Sequence, residues 1–145
     1  MGARRAGATM LVDEADVRFF REHGYLKVEN VISPEEVAEI QAVADGWVEQ
    51  SRAVSEHTEL FDLEPGHSAE RPQVRRIKNP GRSEAYARLP THPRVLEVVT
   101  RLLGPNVRGG GSKLNMKLAQ VGSPVHWHSG KCCSSGPRLR IFFGA

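Results

Sequence analysis

The sequence predicts an α+β fold, and three kinds of local pattern support that assignment. Three segments join an N-terminal capping signal to apolar residues spaced by three and four, which is typical of amphipathic helices. Residues 113–118 alternate apolar and polar side chains, which is typical of a strand with one buried face. A turn-forming run from Gln120 to Pro124 then leads into a second strand start at 125–128. We expect the helices to pack on one face of the strands.

The first helix is predicted between Asp13 and Gly24. Asp13 is a capping residue, and Val12 and Val17 have the spacing of a hydrophobic staple across the helix start. Gly24 is suited to the left-handed conformation that ends a helix. His23 is expected to act as a favourable cation at the helix C-terminus, and Phe20 on the helix face is expected in the core.

A short strand and a second helix are predicted next. Residues 25–31 alternate in polarity, which favours a strand. Ser33, Pro34 and Glu36 then supply a cap, a proline at the first helical position and the third-position acid of a capping box. Trp47 falls on the apolar stripe of this helix, so we interpret it as a core residue rather than as a platform for a ligand.

The third predicted helix begins at Thr91-His92-Pro93 and ends at Gly104-Pro105. Its apolar stripe is wide, which predicts a helix buried as core. His92 is expected on the surface, in the cap region. The stripe consists of Val95, Leu96, Val98, Val99, Leu102 and Leu103.

Residues 51–83 are polar and are predicted to be irregular. His57 and His67, with Asp62 and Glu64 between them, resemble a set of metal donors. They lack the helical or strand context that metal ligands require, so a metal site there is not favoured.

Within this range, basic residues cluster at Arg75, Arg76 and Lys78, around the apolar Val74 and Ile77. This run is interpreted as a charged surface strand. The alternative is that these cations hold an anionic group of a substrate, such as a carboxylate or a phosphate.

The stretch 113–128 carries the strongest indication of chemistry. Leu114, Met116 and Leu118 alternate with the polar Lys113, Asn115 and Lys117, and the turn at 120–124 follows. His126 and His128 then lie two residues apart, on one side of an extended chain. A strand that presents His-x-Asp/Glu supplies half of a non-haem iron site, but the residue two beyond His128 is Gly130.

Four segments, in this order, resemble the phytanoyl-CoA dioxygenase family of Fe(II)/2-oxoglutarate oxygenases. They are FFREHGYLKVENVISPEEVAEIQ, RRIKNP, THPRVLEVVTRLLGP, and LNMK followed eleven residues later by the second His of VHWH. The resemblance covers roughly residues 13–128. It implies that the helices pack on the first strands of a double-stranded β-helix, a cupin-like jelly roll, and that the barrel is incomplete in this chain.

The resemblance also implies cofactors and site residues. Asn115 and Lys117 match positions that contact 2-oxoglutarate, and His128 matches the first Fe(II) ligand. The family places an Asp at position 130, where this chain has Gly130, and no later His follows. We therefore expect a dioxygenase that acts on a small-molecule substrate. Its iron site is expected to be incomplete in this chain, and the chain is therefore expected to be inactive.

Composition narrows the remaining classes. The net charge is +3 and the sequence pI about 9.1, with scattered basic residues and no nucleic-acid-binding motif. No run of about 18 apolar residues predicts a membrane span. A cytoplasmic protein with no nucleic-acid or membrane partner is expected, with its oligomeric state left open. Residues 1–12 are expected to form a disordered tail, 13–128 the family domain, and 129–145 a tail foreign to the fold.

Two other functions stay open at this point. His126, His128, Cys132 and Cys133 supply four donors that favour zinc, although adjacent cysteines do not have a zinc-finger spacing. A non-catalytic remnant that binds a partner is the other alternative. Fe(II)-dependent decarboxylation of 2-oxoglutarate would distinguish the enzyme from both.

Overall fold

The computed structural model describes residues 10–124, which form helices packed on one face of a three-stranded antiparallel sheet. This is the predicted α+β class. No helix within residues 10–124 combines the length and apolar composition needed to cross a bilayer. The elements, in chain order, are α1 (Glu14–His23), α2 (Pro34–Gln50), β1 (Phe61–Leu63), β2 (Val74–Lys78), α3 (Glu84–Ala87), α4 (Pro93–Leu103) and β3 (Lys113–Asn115).

Both predicted capping motifs at the starts of α1 and α2 are formed. The Asp13 carboxylate accepts from the backbone N–H groups of Ala15 at 2.7 Å and Asp16 at 2.9 Å, and Asp16 accepts from Asp13 N–H at 3.0 Å. Ser33 and Glu36 bond reciprocally in the same way, at 3.2 and 2.9 Å. These contacts satisfy backbone donors that a helix start leaves unpaired, which is why each helix begins where the sequence predicts.

The end of α1 also agrees with the sequence. Gly24 has φ 80°, a left-handed conformation, and its N–H donates to Phe20 O at 2.8 Å. Val12 and Val17 are buried, as a staple requires. His23 Nδ1 lies 3.0 Å from Phe19 O, at the carbonyl end of the helix. Phe20 is only half-buried, so the prediction that it lies in the core is confirmed only in part.

The strand predicted at 25–31 is absent from the structure. Its side chains do alternate in exposure, with Leu26 and Val28 half-buried and Lys27 and Glu29 exposed. Within residues 10–124, however, no strand pairs with this segment, and only β1, β2 and β3 form the sheet. Alternation reports which side chains meet the core, whereas a strand also needs a neighbour for its backbone groups.

The sheet has the order β1-β2-β3, with β2 in the centre. Phe61, Ile77 and Leu114 stand opposite one another across the three strands and form its apolar row. Ile77 is completely buried, and Phe61 is buried beside it. This row faces the helices and carries the central part of the core.

The prediction that residues 51–83 are irregular is wrong for β1, whereas β2 is the charged strand predicted around Val74 and Ile77. Asp62 opposes Arg76, but the next residue, Leu63, opposes Val74, so Arg75 is an extra residue in β2. This β-bulge keeps both Val74 and Ile77 buried although they are three residues apart. The bulge breaks the period-two pattern of β2, and β1 is only three residues long, so β1 has no clear sequence signal.

The core between the sheet and α2 contains Trp47, as predicted. Its ring lies 5.3 Å from that of Tyr86, measured between centroids, and the Tyr86 hydroxyl donates to Ile40 O at 3.1 Å. The buried cluster consists of Trp47, Phe61, Leu63, Val74, Ile77, Tyr86 and Leu89.

Helix α4 has its predicted bounds but is less buried than its sequence predicts. Val95 is buried, whereas most of the stripe is half-buried and Leu103 is 37% exposed. His92 was expected on the surface, yet its side chain is only 15% exposed, and Nε2 lies 3.3 Å from Glu36 Oε1. His92 therefore bridges the starts of α2 and α4, an interaction between distant segments that local sequence does not report.

Candidate functional site

A polar row crosses the face of the sheet that points away from the helices. Asp62 on β1, Arg76 on β2 and Asn115 on β3 are direct cross-strand neighbours. Arg76 Nη1 donates to Asp62 Oδ2 at 2.9 Å, and Arg76 Nε donates to Asn115 Oδ1 at 3.2 Å. Lys78 Nζ lies 3.0 Å from Asp62 Oδ1. One carboxylate thus holds two cations, and one of these orients the Asn115 amide.

The electrostatics of this row favour an ionised Asp62. Partial burial acts to raise the pKa of Asp62, but the Lys78 ammonium and the Arg76 guanidinium together hold that pKa below its usual value. The Asp62 side chain is about one-fifth exposed. The side chains of this polar row are therefore held in place and partly shielded from solvent, unlike charges that move freely on a surface.

Lys117 continues the polar face of β3 beyond its last paired residue. Lys113, Asn115 and Lys117 are exposed, while Leu114 and Met116 are half-buried, as the predicted alternation requires. The backbone remains paired one step past β3, through Met116 N–H and Arg75 O at 3.0 Å. The structure thus brings the two predicted 2-oxoglutarate contacts, Asn115 and Lys117, to one face.

The predicted turn from Gln120 to Pro124 is fixed to the end of β1 by Glu64. Gln120 and Gly122 both have positive φ, at 62° and 129°. Glu64 is 6% exposed, and its two carboxylate oxygens accept from Ser123 N–H at 2.9 Å and from the Ser123 hydroxyl at 2.6 Å. The hydroxyl, followed by the backbone N–H, lowers the pKa of Glu64. Glu64 therefore anchors the turn that precedes His126 and His128.

The histidines at 57 and 67 serve the backbone rather than a metal. His57 Nδ1 accepts from Leu63 N–H at 3.0 Å, and His67 Nδ1 accepts from Gln73 N–H at 2.9 Å. His67 Nε2 lies 3.0 Å from Ser51 O. Among the residues that the structure describes, no three His, Cys, Asp or Glu side chains are grouped so that they could hold a metal ion.

The predicted Fe(II) ligand His128 lies outside the described residues, as do His126 and the cysteine pair of the zinc alternative. The sequence offers imidazole donors there, followed by Ser129 and Gly130 instead of a carboxylate. Residues 10–124 do not supply a metal site in their place.

Sequence reasoning missed how Asp62, Arg76 and Glu64 contribute to the polar face. The sequence suggests Asp62 and Glu64 only as metal donors and predicts Arg76 as part of a charged surface strand. The pairing of Asp62 with Arg76 depends on the register of β1 with β2, and the Glu64–Ser123 contact joins residues 59 positions apart. The sequence feature that could have indicated this arrangement is the spacing of Asp62 and Glu64, which lie two residues apart beside a short apolar pattern.

Comparison with known proteins identifies the family of this chain. Residues 20–131 match the model of the phytanoyl-CoA dioxygenase (PhyH) family. The chain belongs to this family.

Two curated relatives are dioxygenases by name. The chain is 30% identical, over 112 residues, to a probable alpha-ketoglutarate-dependent hypophosphite dioxygenase from Stutzerimonas stutzeri; the match covers 77% of this chain and 39% of the relative. It is 26% identical, over 123 residues, to an ectoine dioxygenase from Streptomyces anulatus, covering 85% and 40%. The chain thus spans about two-fifths of the length of these relatives. No solved structure matches the chain.

Proposed function

We propose that this chain carries the 2-oxoglutarate-binding strand of an Fe(II)/2-oxoglutarate-dependent dioxygenase that hydroxylates a small-molecule substrate. The observation that carries the proposal is the placement of Asn115 and Lys117 on one polar sheet face, directly before the anchored turn that leads to His128. The names of the two relatives support the same chemistry. In this proposal β1, β2 and β3 belong to a double-stranded β-helix, and their polar face lines its interior.

Asn115 and Lys117 would bind the co-substrate in different ways. Arg76 Nε donates to Asn115 Oδ1, so the Asn115 amide nitrogen is directed elsewhere and keeps its two N–H donors for a ligand. The Lys117 ammonium is a cation that suits a carboxylate of 2-oxoglutarate. Asp62 contributes indirectly, because it holds Arg76 and thereby the amide.

Fe(II) would supply oxygen activation when bound, with His128 as one of its ligands. Position 130 has Gly where the family places an Asp. We therefore propose that this chain binds the co-substrate on the sheet face but does not turn substrate over.

A titration of the chain with 2-oxoglutarate tests the proposal. The change Lys117→Gln removes one charge-assisted contact, so we expect the dissociation constant to rise by about tenfold, the equivalent of about 1.4 kcal/mol. Isothermal titration calorimetry at fixed ionic strength measures it.

The matched control is Arg94→Gln, which removes one positive charge from the exposed surface of α4. It is expected to change the dissociation constant by less than twofold. Equal effects of the two substitutions would show that binding follows net charge alone, which would contradict a site at Lys117.

A further inference from the structure

The polar face of the sheet carries more positive charge than the co-substrate requires. Arg76 and Lys78 on β2 share it with Lys113 and Lys117 on the β3 segment, whereas Asp62 is the acid within the paired row. Lys78 and Lys113 are direct cross-strand partners. Lys78 is already held by Asp62, so Lys113 is the member of this pair that forms no ion pair among residues 10–124.

The bulge in β2 adds a fifth cation to this surface. Because Val74 and Ile77 are both buried, the two residues between them, Arg75 and Arg76, both lie on the opposite face. Arg75 is exposed, and both Arg75 and Lys117 are near enough to Glu64 to help lower its pKa. Each carboxylate oxygen of Glu64 already accepts a hydrogen bond from Ser123, and Glu64 forms no ion pair with Arg75 or Lys117.

The carboxylates of the chain leave three of these cations without an ion pair. None of the ion pairs formed among residues 10–124 includes Arg75, Lys113 or Lys117. All 17 Asp and Glu residues of the sequence lie within that range, because residues 1–9 and 125–145 contain neither. Within residues 10–124, these three cations are therefore not paired with a carboxylate.

The positions of the cations along the strands indicate two separate binding positions for anionic groups. A strand rises about 3.4 Å per residue, so the Cα atoms of Lys113 and Lys117 are about 14 Å apart. Lys113 is the first residue of β3 and lies opposite Lys78, whereas Lys117 lies beyond the last residue of β3, so the two cations mark opposite ends of the polar face. Lys117 and Asn115 suffice for the co-substrate, and Lys113 with its cross-strand neighbour Lys78 forms a second cationic position.

We infer that this second position binds an acidic group of the substrate, so that the substrate class is a small oxyanion or an organic acid with a carboxylate, phosphonate or phosphate group. The inference rests on the proposed function, because it assigns Lys117 and Asn115 to 2-oxoglutarate. Lys113 and Lys78 are then the residues that select an anionic substrate.

Binding of inorganic phosphate to the full chain tests this inference, in a buffer free of other oxyanions and at fixed ionic strength. We expect phosphate to bind when 2-oxoglutarate is saturating. Lys113→Gln is expected to weaken phosphate binding at least fivefold and to change 2-oxoglutarate binding less than twofold. Lys117→Gln is expected to have the opposite pattern. Lys113→Arg keeps the charge and is expected to retain phosphate binding, while Arg94→Gln should change neither ligand.

The possible failures are distinct from one another. If phosphate displaces 2-oxoglutarate, the face holds one anion site and the inference is wrong. It is also wrong if 2-oxoglutarate binds but phosphate does not, or if Lys113→Gln and Arg94→Gln have the same effect; the proposed function survives both results. If 2-oxoglutarate fails to bind, the proposed function falls and the assignment of the second position falls with it. A thermal melt of each variant identifies losses that result from unfolding.

Discussion

At the scale of single residues, the site depends on side chains that hold other side chains in place. Asp62 holds Arg76, and Arg76 sets the orientation of the Asn115 amide. Glu64 does the same for the turn, through two bonds to Ser123. An ionised carboxylate that accepts hydrogen bonds contributes more than a neutral acceptor, so Glu64 should make the stability of the turn depend on pH.

The sign of that dependence follows from the lowered pKa of Glu64. Its stabilising contribution is fully present above the usual value of 4.5 and is lost as the pH falls through the lower folded-state pKa. We expect acidification below pH 4.5 to destabilise the unmodified chain more than the variant Ser123→Ala. The difference should be about 1.5–3 kcal/mol, the range for a hydrogen bond to a charged group.

Denaturant unfolding of both chains at neutral pH and at several values below 4.5 measures this difference. Asp13 and Glu36 also have lowered pKa values, set mainly by backbone N–H groups at their helix starts, and they affect both chains equally. Identical pH profiles for the two chains would show that the Ser123 hydroxyl does not stabilise the ionised Glu64.

At the scale of elements, the sequence predicts what is local. The starts of α1 and α2 follow from capping residues that bond within three positions, and the ends of α1 and α4 from Gly24 and Gly104. The alternation of the β3 segment follows from one buried face. The ligand roles of Asn115, Lys117 and His128 stay a prediction.

What the sequence missed depends on contacts between distant segments. The segment 25–31 has the pattern of a strand but no partner, whereas β1 and β2 pair across a bulge that conceals their pattern. His92 was placed on the surface because its contact, Glu36, is 56 positions away in the sequence. Pairing and register are decided by the assembled core, which no local window contains.

The burial of Ile77 in the central strand can be tested by its contribution to the free energy of unfolding. Ile77 is fully buried between β1 and β3, so Ile77→Ala should lower the free energy of unfolding by about 2–5 kcal/mol. The control Leu103→Ala, at a residue 37% exposed on α4, should cost clearly less. Denaturant unfolding measures both changes. Equal losses at the two positions would contradict the placement of Ile77 in the core.

At the scale of the whole molecule, the sheet divides two functions between its faces. The apolar face packs on the helices and stabilises the fold, and the polar face carries Asn115, Lys117 and the flanking cations, which we propose as its ligand-binding residues. The chain belongs to the phytanoyl-CoA dioxygenase family and spans about two-fifths of the length of its named relatives. Dioxygenase activity is therefore proposed, and the first step to test is binding of the co-substrate on this face.

The most direct measurement is an NMR titration of the isotope-labelled chain with 2-oxoglutarate, which maps the contact residue by residue. The account predicts chemical-shift changes concentrated at Asn115 and Lys117, extending to the side chain of Arg76 and leaving α1 and α4 unchanged. A spectrum without changes, or with changes spread evenly over exposed Lys and Arg residues, would contradict a co-substrate site on the polar face of the sheet.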